Sequence, residues 1–529
     1  MRVTGLGHAG LFIETRGGTI LADPWVYPAY FGSWIPFPDN RHLDWKKYGN
    51  ADYLYISHRH ADHFDPQLLD EVVPKDIRVL LPEYPTDDLE RDLRNLGFTN
   101  IIYTQAGVPM DLGDVRIMIT PLKGPGDGPI GDSSLSVDDG TGVILDQNDA
   151  HPLNLDALLS FGAVDAYFTQ YSGAIWWPMV YDLPLMSKQH FAELKREAQT
   201  KRALFYLEKI GAPHIFPLAG PPCFLDDDLF DYNGKGKNGE SIFTDQVEFI
   251  RELEEARDDM TGHVFLPGTV VEVNNGEVTV TQELYSEEEI SEIFDNKWEY
   301  LARQRDERQA ELVTERESRA TPMDSDELFE VLKEWFEPLM KRAPTLCQGI
   351  GHMAKFTIGD LELIVDFPNA EVRRFATEQP RYWFTVPADL VATNVAKREV
   401  DWSNSIFLSM RFQVGRIGKF NEYLYIFFKC LSEQRIDYVE NWYQQVGDAG
   451  DDVEIDGWYV QRRCPHLRAD LTKTATIEGN VLTCSLHDWK FDLETGMCLT
   501  SQGHNIRARR VQPQEAAQEL TQESAVAAD

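Results

Sequence analysis

Residues 58–63 read His-Arg-His-Ala-Asp-His and place four potential metal ligands within six residues. The preceding residues 52–57 are rich in β-forming side chains, which puts the run on a loop directly after a strand. Side chains on such a loop can converge on one point, whereas helical ligands would be spaced three or four apart. Imidazole and carboxylate ligands together suit Zn or Fe. We therefore predict metal ligation by His58, His60, Asp62 and His63, with Asp62 and His63 also catalytic; the alternative is a polar loop without a metal.

A second ligand is expected after the strand predicted over residues 142–146. An acidic turn follows that strand and carries Asp149 and His151, both able to approach the same metal region. We choose Asp149 over Asp146 as the carboxylate that completes the site. A solvent-facing acidic turn is the alternative for this segment.

Length and charge limit the classes of protein. At 529 residues the chain exceeds one hydrophobic core and should divide into about three or four domains. The 87 acidic residues outnumber the 50 basic ones, and the net charge of -37 argues against nucleic acid or an anionic membrane as partner. Neither a signal peptide nor an apolar run of roughly 18 residues is apparent. We expect a cytoplasmic protein with no membrane partner.

Residues 5–10 satisfy the dinucleotide-binding pattern G-x-G-x-x-G after a short strand. That fingerprint requires a helix next, whereas residues 11–21 read as a β-hairpin around Gly17 and Gly18. We therefore predict that no nucleotide binds here.

The C-terminal part contains Cys464-Pro465-His466 and, after 17 intervening residues, Cys484-Ser485-Leu486-His487. The pattern C-x-H and C-x-x-H supplies two thiolates for one iron and two imidazoles for another; a tetrahedral Zn site is the alternative. The flanking strands and glycine turns resemble those of Rieske domains. We therefore predict a Rieske 2Fe-2S cluster on Cys464, His466, Cys484 and His487.

The histidine-rich run resembles the metal motif of the metallo-β-lactamase fold, and residues 7–14 and 20–25 look like that fold's opening strands. The resemblance implies an αββα domain. Hydrolases of this fold place another histidine in the segment that corresponds to residues 120–136, but this chain has no histidine there. They place a last histidine near the domain's end, where this chain has Ala219. A second metal position would then be altered, or supplied by Asp132 or His151.

The predicted fold class is multidomain, with a metallo-β-lactamase domain, a helical linker, an α+β domain and an all-β Rieske domain. The charged stretch 286–319 predicts a long solvated helix, and Asp324 is expected to cap the next one. The predicted boundaries are 1–283 for the metal domain, 284–320 for the linker, 321–432 for the α+β domain, 433–512 for the Rieske domain and 513–529 for a disordered tail.

An electron carrier fused to a metal site implies that the metal site consumes electrons. The usual D-x-x-H-x-x-x-x-H iron motif of Rieske oxygenases is missing from the sequence. The chain resembles CMP-N-acetylneuraminate hydroxylases, which join the same modules with the Rieske domain first instead of last. The resemblance implies a monooxygenase that uses O2, an external electron donor (ferredoxin, cytochrome or reductase) and a small-molecule substrate, with an N-acetylated nucleotide sugar as one candidate. Mono- or dinuclear iron would then be held by His58, His60, Asp62, His63 and Asp149.

Two other functions are open. One is a Zn-dependent metallo-β-lactamase-type hydrolase whose Rieske domain senses redox state or docks a partner. The other is a non-catalytic electron-transfer or scaffold protein with an empty N-terminal site. Dependence on O2 separates the first alternative from the hydroxylase, because hydrolysis needs neither O2 nor a reductant.

Overall fold

The computed structural model describes residues 1–445 and 450–511, so the predicted tail lies outside the described residues. Its N-terminal domain contains two β-sheets packed face to face. The first sheet contains β1 (Arg2–Gly7), β2 (Gly10–Thr15), β3 (Gly18–Ala22), β4 (Tyr53–Tyr55), β5 (Arg78–Pro82), β6 (Ile101–Thr104), β14 (Thr269–Asn274) and β15 (Glu277–Gln282). Its strand order is β15-β14-β1-β2-β3-β4-β5-β6, and β3, β4, β5 and β6 run parallel to one another.

The second sheet mixes antiparallel and parallel strands. It contains β7 (Met110–Asp111), β8 (Arg116–Pro121), β9 (Ser133–Asp138), β10 (Val143–Asn148), β11 (Ala166–Gln170), β12 (His214–Leu218) and β13 (Thr261–Gly262). The order is β13-β12-β11-β10-β9-β8-β7, with β10, β11 and β12 parallel. Apolar side chains such as Val3, Ile13, Phe168 and Phe216 fill the space between the two sheets.

Helices cover the outer faces of both sheets, which completes the predicted αββα arrangement. They are α1 (Trp45–Gly49), α2 (Pro66–Val72), α3 (Asp88–Asn95), α4 (Leu155–Leu159), α5 (Leu185–Ile210), α6 (Asp227–Phe230) and α7 (Gln246–Ala256), with a 3-10 turn at Gly128–Ile130. The hairpin predicted over residues 11–21 is confirmed, because β2 and β3 pair antiparallel with Thr15 opposite Gly18. The glycine pattern at residues 5–10 lies where β1 turns into β2, and no helix follows it.

The charged segment that follows is two helices, α8 (Glu287–Asp295) and α9 (Lys297–Glu317), instead of the single solvated helix expected. Its second helix buries Leu301, Arg308 and Leu312 against the first domain. The Arg308 guanidinium is fully buried and donates to the carbonyl of Val26 at 2.9 Å. Charge density alone predicted solvation, but long basic side chains can be buried where a carbonyl accepts their hydrogen bonds.

The middle domain is α+β. Its elements are α10 (Ser325–Arg342), α11 (Pro344–Ile350), β16 (Met353–Ile358), β17 (Leu361–Asp366), β18 (Glu371–Arg374), β19 (Tyr382–Val386), α12 (Ala388–Lys397), a helical turn (Ser403–Phe407), β20 (Gln413–Arg416), α13 (Glu422–Lys429) and α14 (Glu433–Gln444). The strands pair in the order β18-β17-β16-β19-β20. Asp324 caps α10 by accepting from the backbone N–H of Asp326 at 2.8 Å, as predicted.

The C-terminal domain is built from two small antiparallel sheets. The elements are β21 (Asp452–Ile455), β22 (Trp458–Gln461), α15 (Leu471–Thr474), β23 (Ala475–Glu478), β24 (Val481–Cys484), β25 (Trp489–Asp492) and β26 (Ala508–Arg510). One sheet is β21-β22-β26 and the other β23-β24-β25. Within the described ranges, no helix has the length and apolar character needed to cross a membrane.

The three domains share apolar cores. Buried residues of the C-terminal domain, among them Trp458 and Leu482, form one cluster with Tyr206 of α5 and Tyr167 of the second sheet. Between the first and middle domains, the fully buried Arg435 pairs with Asp88 at 2.6 Å and Asp401 at 3.0 Å. Moving the domains apart would leave the charge of Arg435 without its partners, which is costly for a buried ion pair. These contacts therefore fix the relative positions of the first and middle domains.

Candidate metal and cluster sites

The predicted ligands follow the carboxyl ends of parallel strands in both sheets. The loop with His58 comes after β4, and Asp149 comes after β10. Carboxyl ends of neighbouring parallel strands meet at one edge, where side chains from separate loops converge. The fold thereby brings the two predicted segments to a single point between the sheets.

One group of ligand atoms consists of His58, His60 and Asp149, all within 4.8 Å of one another. The His58 and His60 ring centroids are 4.4 Å apart. The amide of Gln170, at the end of β11, donates to Asp149 Oδ1 at 2.5 Å and fixes the carboxylate. Two imidazoles and one oriented carboxylate are the donor set of many Zn and non-haem Fe sites.

A second group adjoins the first and consists of His8, Asp62 and His63. Asp62 Oδ2 lies 2.9 Å from His8 Nε2 and 3.9 Å from His63 Nε2. The same His63 nitrogen lies 3.6 Å from Asp149 Oδ2, so Asp149 reaches both groups. The arrangement has room for two metal ions that share a carboxylate, a geometry used by dinuclear centres.

The imidazoles of this centre are prepared for a metal. His58 Nε2 and His63 Nε2 are both buried and have no hydrogen-bond partner among the residues the structure describes. Their opposite nitrogens are held: Ser57 Oγ lies 2.9 Å from His58 Nδ1, and Asp23 Oδ2 lies 2.8 Å from His63 Nδ1. Hydrogen bonding at one ring nitrogen orients the other toward a metal, which is the usual arrangement around ligating histidines.

Protonation in this centre follows burial and the neighbouring charges. Burial and the adjacent imidazoles lower the pKa of His58 well below its usual value, and burial lowers that of His60 to about 4. Both therefore present neutral rings at neutral pH, the form that binds metals. Burial alone would lower the pKa of His63, but Asp149, Asp23 and Asp62 raise it well above its usual value. A metal at His63 must displace that proton.

Not every candidate residue joins the two groups. Asp146 is fully buried with both carboxylate oxygens unpaired among the described residues, and burial raises its pKa well above the usual range. Asp132 Oδ1 lies 3.8 Å from His58 Nδ1, on the side of that ring away from the unpartnered nitrogen. Its pKa is likewise raised by burial and by nearby carboxylates. His151 turns toward the C-terminal domain instead.

Sequence reasoning missed His8, which lies in the turn between β1 and β2 with a positive φ of 51°. The signal available was a histidine in a tight turn at the end of β1, a strand of the same sheet as β4, from which β2 and β3 separate it. The missed Tyr30 donates a hydrogen bond to Asp62 Oδ1, and Asp23 accepts from the Ser57 backbone N–H at 2.7 Å.

Replacing Tyr30 with phenylalanine is expected to weaken metal binding at the His8, Asp62 and His63 group. The variant removes the hydroxyl that orients Asp62, and loss of such supporting contacts costs about 10–100-fold in metal affinity. Competition with a chelator, followed by metal analysis, measures the change. Tyr27→Phe is the matched control because the Tyr27 hydroxyl contacts the exposed Glu71 at 2.6 Å. Equal affinities in both variants would contradict the assignment.

The predicted cluster ligands lie on two loops of the C-terminal domain. Cys464 and His466 follow β22, whereas Cys484 ends β24 and His487 follows it. The loops are joined by close approach of the two thiols and by the two imidazoles, whose ring centroids are 4.7 Å apart. Both cysteines are buried. The four residues thus offer a pair of thiolates and a pair of imidazoles, which is the donor set of a Rieske 2Fe-2S cluster.

His466 shows which ring nitrogen would bind iron. Its Nδ1 is buried with no hydrogen-bond partner within the described part of the chain, whereas Nε2 lies 2.7 Å from Glu422 Oε1 on α13. The second Glu422 oxygen lies 3.0 Å from His504 Nε2. Trp489 stacks on the His466 ring at 4.0 Å. Burial alone would lower the pKa of His466, but Glu422 raises it above the usual value.

Replacing Glu422 with glutamine is expected to raise the midpoint potential of the cluster. The carboxylate beside His466 favours the more positive, oxidised cluster, and its loss favours the reduced one. The expected rise is on the order of 60 mV, equivalent to a tenfold change in a one-electron equilibrium. Protein-film voltammetry measures it. Glu433→Gln is the control, because Glu433 is exposed on α14, and it should leave the potential unchanged. An unchanged potential in Glu422→Gln would contradict this assignment.

The two sites face each other across the domain interface. The ring of His151 lies 6.1 Å from that of the cluster ligand His487 and 6.0 Å from that of Tyr206. His151 is two residues beyond Asp149 of the first metal group. The middle domain closes another side of the metal groups, where the ammonium of Lys429 lowers the pKa of His58 and His60.

Comparison with known proteins agrees with this architecture. Residues 2–132 match a Beta-lactamase superfamily domain, residues 328–445 an Rv3818-like, SCP2-like domain, and residues 455–508 a Rieske [2Fe-2S] domain. The fold and the ligand sets thus define a metallo-β-lactamase-fold protein that carries its own Rieske domain. The predicted order of these two modules and the 2Fe-2S cofactor are confirmed, and the α+β domain between them is SCP2-like.

Relatives extend over nearly the whole chain. A protein of Mycolicibacterium smegmatis is 43% identical over 97% of this chain and 100% of its own length. One from Mycobacterium tuberculosis is 43% identical over 96% of this chain and 100% of its own. Both carry the provisional name Rieske 2Fe-2S iron-sulfur protein. The chain belongs to this family of Rieske 2Fe-2S iron-sulfur proteins.

A shorter similarity concerns a hydroxylase. The 4-amino-L-phenylalanyl-[CmlP-peptidyl-carrier-protein] 3-hydroxylase of Streptomyces venezuelae is 30% identical over 125 residues, which is 22% of this chain and 23% of that enzyme.

Proposed function

We propose that this protein is an oxygenase in which a Rieske cluster supplies electrons to iron held by the N-terminal ligand groups, where O2 is activated to hydroxylate a small molecule. The observation that carries the proposal is the 6.1 Å approach between the rings of His487 and His151. A cluster ligand thereby lies beside the loop of Asp149. An electron carrier docked in this way suits a metal centre that consumes electrons.

The residues of the chain have definite tasks in this proposal. His58, His60 and Asp149 would hold one metal, and His8, Asp62 and His63 the other. Tyr30 and Gln170 hold the carboxylates of Asp62 and Asp149 in place. Because these groups are enclosed between two sheets, their charges act in a medium of low dielectric constant, where they are stronger than in water.

The domain interfaces exclude water from this region. Arg59, inside the histidine-rich run, pairs with Asp92 on α3 and, at 3.2 Å, with Glu399 of the middle domain. The neighbouring Trp176 packs on Phe407 and Tyr425 of the middle domain, with ring centroids 5.2 and 5.5 Å apart. Exclusion of bulk water protects a reactive oxidant from side reactions.

Two relationships support the choice of an oxygenase. The similarity to a hydroxylase of Streptomyces venezuelae favours hydroxylation over other uses of O2. The resemblance to CMP-N-acetylneuraminate hydroxylases suggests an N-acetylated nucleotide sugar as one substrate to test. An external ferredoxin, cytochrome or reductase would reduce the cluster.

Metal and sulfide analysis of anaerobically purified protein, with EPR of the dithionite-reduced sample, tests the proposal. We expect a Rieske signal together with more iron than the two atoms of the cluster. The reduced protein should then consume O2 and reoxidise its cluster. Two irons plus zinc, with no O2 uptake, would refute the proposal and favour the hydrolase.

A further inference from the structure

We propose a binding site for an oxyanion, the phosphate or carboxylate group of a ligand, on the face of α5 that lies between the two centres. Lys195, Gln199, Arg202 and Tyr206 are spaced by four, three and four residues, so they lie on one face of this helix. The role of this ligand as substrate rests on the proposed function, whereas the site itself rests on the contacts described below.

Within the part of the chain that the structure describes, the two cations of this face have no carboxylate partner. Lys195 and Arg202 make no ion pair and no hydrogen bond with the described residues, although nearly all other half-buried arginines of the first domain do so. Asp488 acts electrostatically on both cations and Asp149 on Arg202, but neither carboxylate pairs with them, and that of Asp488 lies 3.6 Å from Lys490. Two half-buried cations side by side repel each other, and an anion between them would relieve the repulsion.

Burial makes the proximity of these two positive charges more unfavourable. Burial and the charge of Arg202 lower the pKa of Lys195 to about 8, and burial lowers that of Arg202 as well. The ring of Tyr206, on the same helix face, lies 6.0 Å from that of His151, which places this face beside the loop of Asp149. A bound oxyanion would restore the charged form of Lys195 and accept charge-assisted hydrogen bonds from both cations.

Polar atoms beside the cations also lack partners. Gln199 is 2% exposed and Ser172 is 1% exposed, yet the Gln199 amide and the Ser172 hydroxyl make no hydrogen bond with any residue described. Gly173 leaves room for the amide, because a Cβ at that position would lie 1.8 Å from Gln199 Nε2. Buried polar groups are nearly always paired, so a set of unpaired donors beside two unpaired cations indicates a missing polar ligand.

The position of the site relates it to both centres. The charge of Asp149 acts on Arg202. Tyr206, on the same helix face, lies 6.0 Å from His151, whose ring lies 6.1 Å from that of His487. An oxyanion held there would place the remainder of its molecule close to the metal groups. The chain carries a net charge of -37, so an anionic ligand needs such local cations to bind at all.

Isothermal titration calorimetry with inorganic phosphate and with benzoate, on the metal-loaded full chain, tests the site. We expect at least one of them to bind, and Arg202→Gln and Lys195→Gln each to weaken its binding by roughly tenfold or more. Lys201→Gln is the matched control, since Lys201 is exposed on the same helix. Tighter phosphate binding indicates a phosphorylated ligand, and tighter benzoate binding a carboxylate.

EPR of the reduced cluster gives a second readout. Because the site adjoins His151 and His487, the bound anion should shift the signal in the wild type and in Lys201→Gln, but not in Arg202→Gln. Arg202→Lys should recover part of the affinity, which separates lost binding from misfolding. No binding by either anion, or binding unaffected by Arg202→Gln, would overturn the site. Neither measurement uses O2, so binding without O2 uptake would leave this site standing and the oxygenase refuted.

Discussion

The His466→Ala variant is expected to lose the Rieske EPR signal and multiple-turnover activity while it keeps the N-terminal metal. His466 offers a buried, unpartnered Nδ1 to the cluster, and alanine offers no ligand. Loss of this ligand should reduce turnover by more than about 100-fold. That is more than is expected for loss of a residue that only hydrogen-bonds a ligand. EPR, iron analysis and O2 uptake with a chemical reductant measure these effects on the same sample.

Cys498→Ser is the matched control for this variant. Cys498 is a buried thiol of the same domain, and its sulfur lies 3.3 Å from the backbone N–H of Ser501 instead of beside the cluster ligands. Serine retains an acceptor there, so signal and turnover should persist. Full multiple-turnover activity in His466→Ala would show that the cluster does not feed the N-terminal site, and the coupled proposal would fail.

The His60→Ala variant is expected to show the complementary loss. It removes one of three donors from the His58, His60 and Asp149 group, so the affinity of that group for iron should fall by more than about 100-fold. Loss of a residue that only hydrogen-bonds a ligand costs less than this. The Rieske signal should be unchanged because the cluster ligands lie in another domain. O2 uptake should disappear with the metal.

The neutral state of His60 adds a pH dependence. Its pKa lies at about 4 in the metal-free protein, so protons compete with metal at this ring only below that value. The proton on His63 competes at neutral pH, so metal affinity at the second group should rise as the pH rises.

His42→Ala is the control for His60→Ala, since His42 is exposed and packs on Tyr285. Retained iron and O2 uptake in His60→Ala would contradict the site.

Short spacing made parts of both sites predictable. Cys464 and His466 lie on one loop and Cys484 and His487 on another, and local backbone geometry decides how each pair converges. The same holds for His58, His60, Asp62 and His63, which share a single loop. Asp149 was predictable because it lies in an acidic turn directly after a predicted strand, which indicates a loop at a sheet edge.

Other members of the metal site were not predictable in this way. His8 and Tyr30 reach Asp62 from segments distant in the chain, and Asp23 reaches His63 from the end of β3. Their residue types alone carry no sign of the role. Only the order of strands within the first sheet brings these segments to one edge.

What the sequence by itself determined is the Rieske domain and the metallo-β-lactamase fold, together with the candidate ligands that lie within single loops. Only the tertiary structure decided that the centres adjoin. The contact of His487 with His151 depends on how the Rieske domain packs on α5, and so does the position of Lys195 and Arg202, which have no partner among the described residues. Packing between domains is fixed by complementary apolar surfaces of many residues distant in sequence, and no short pattern records that complementarity.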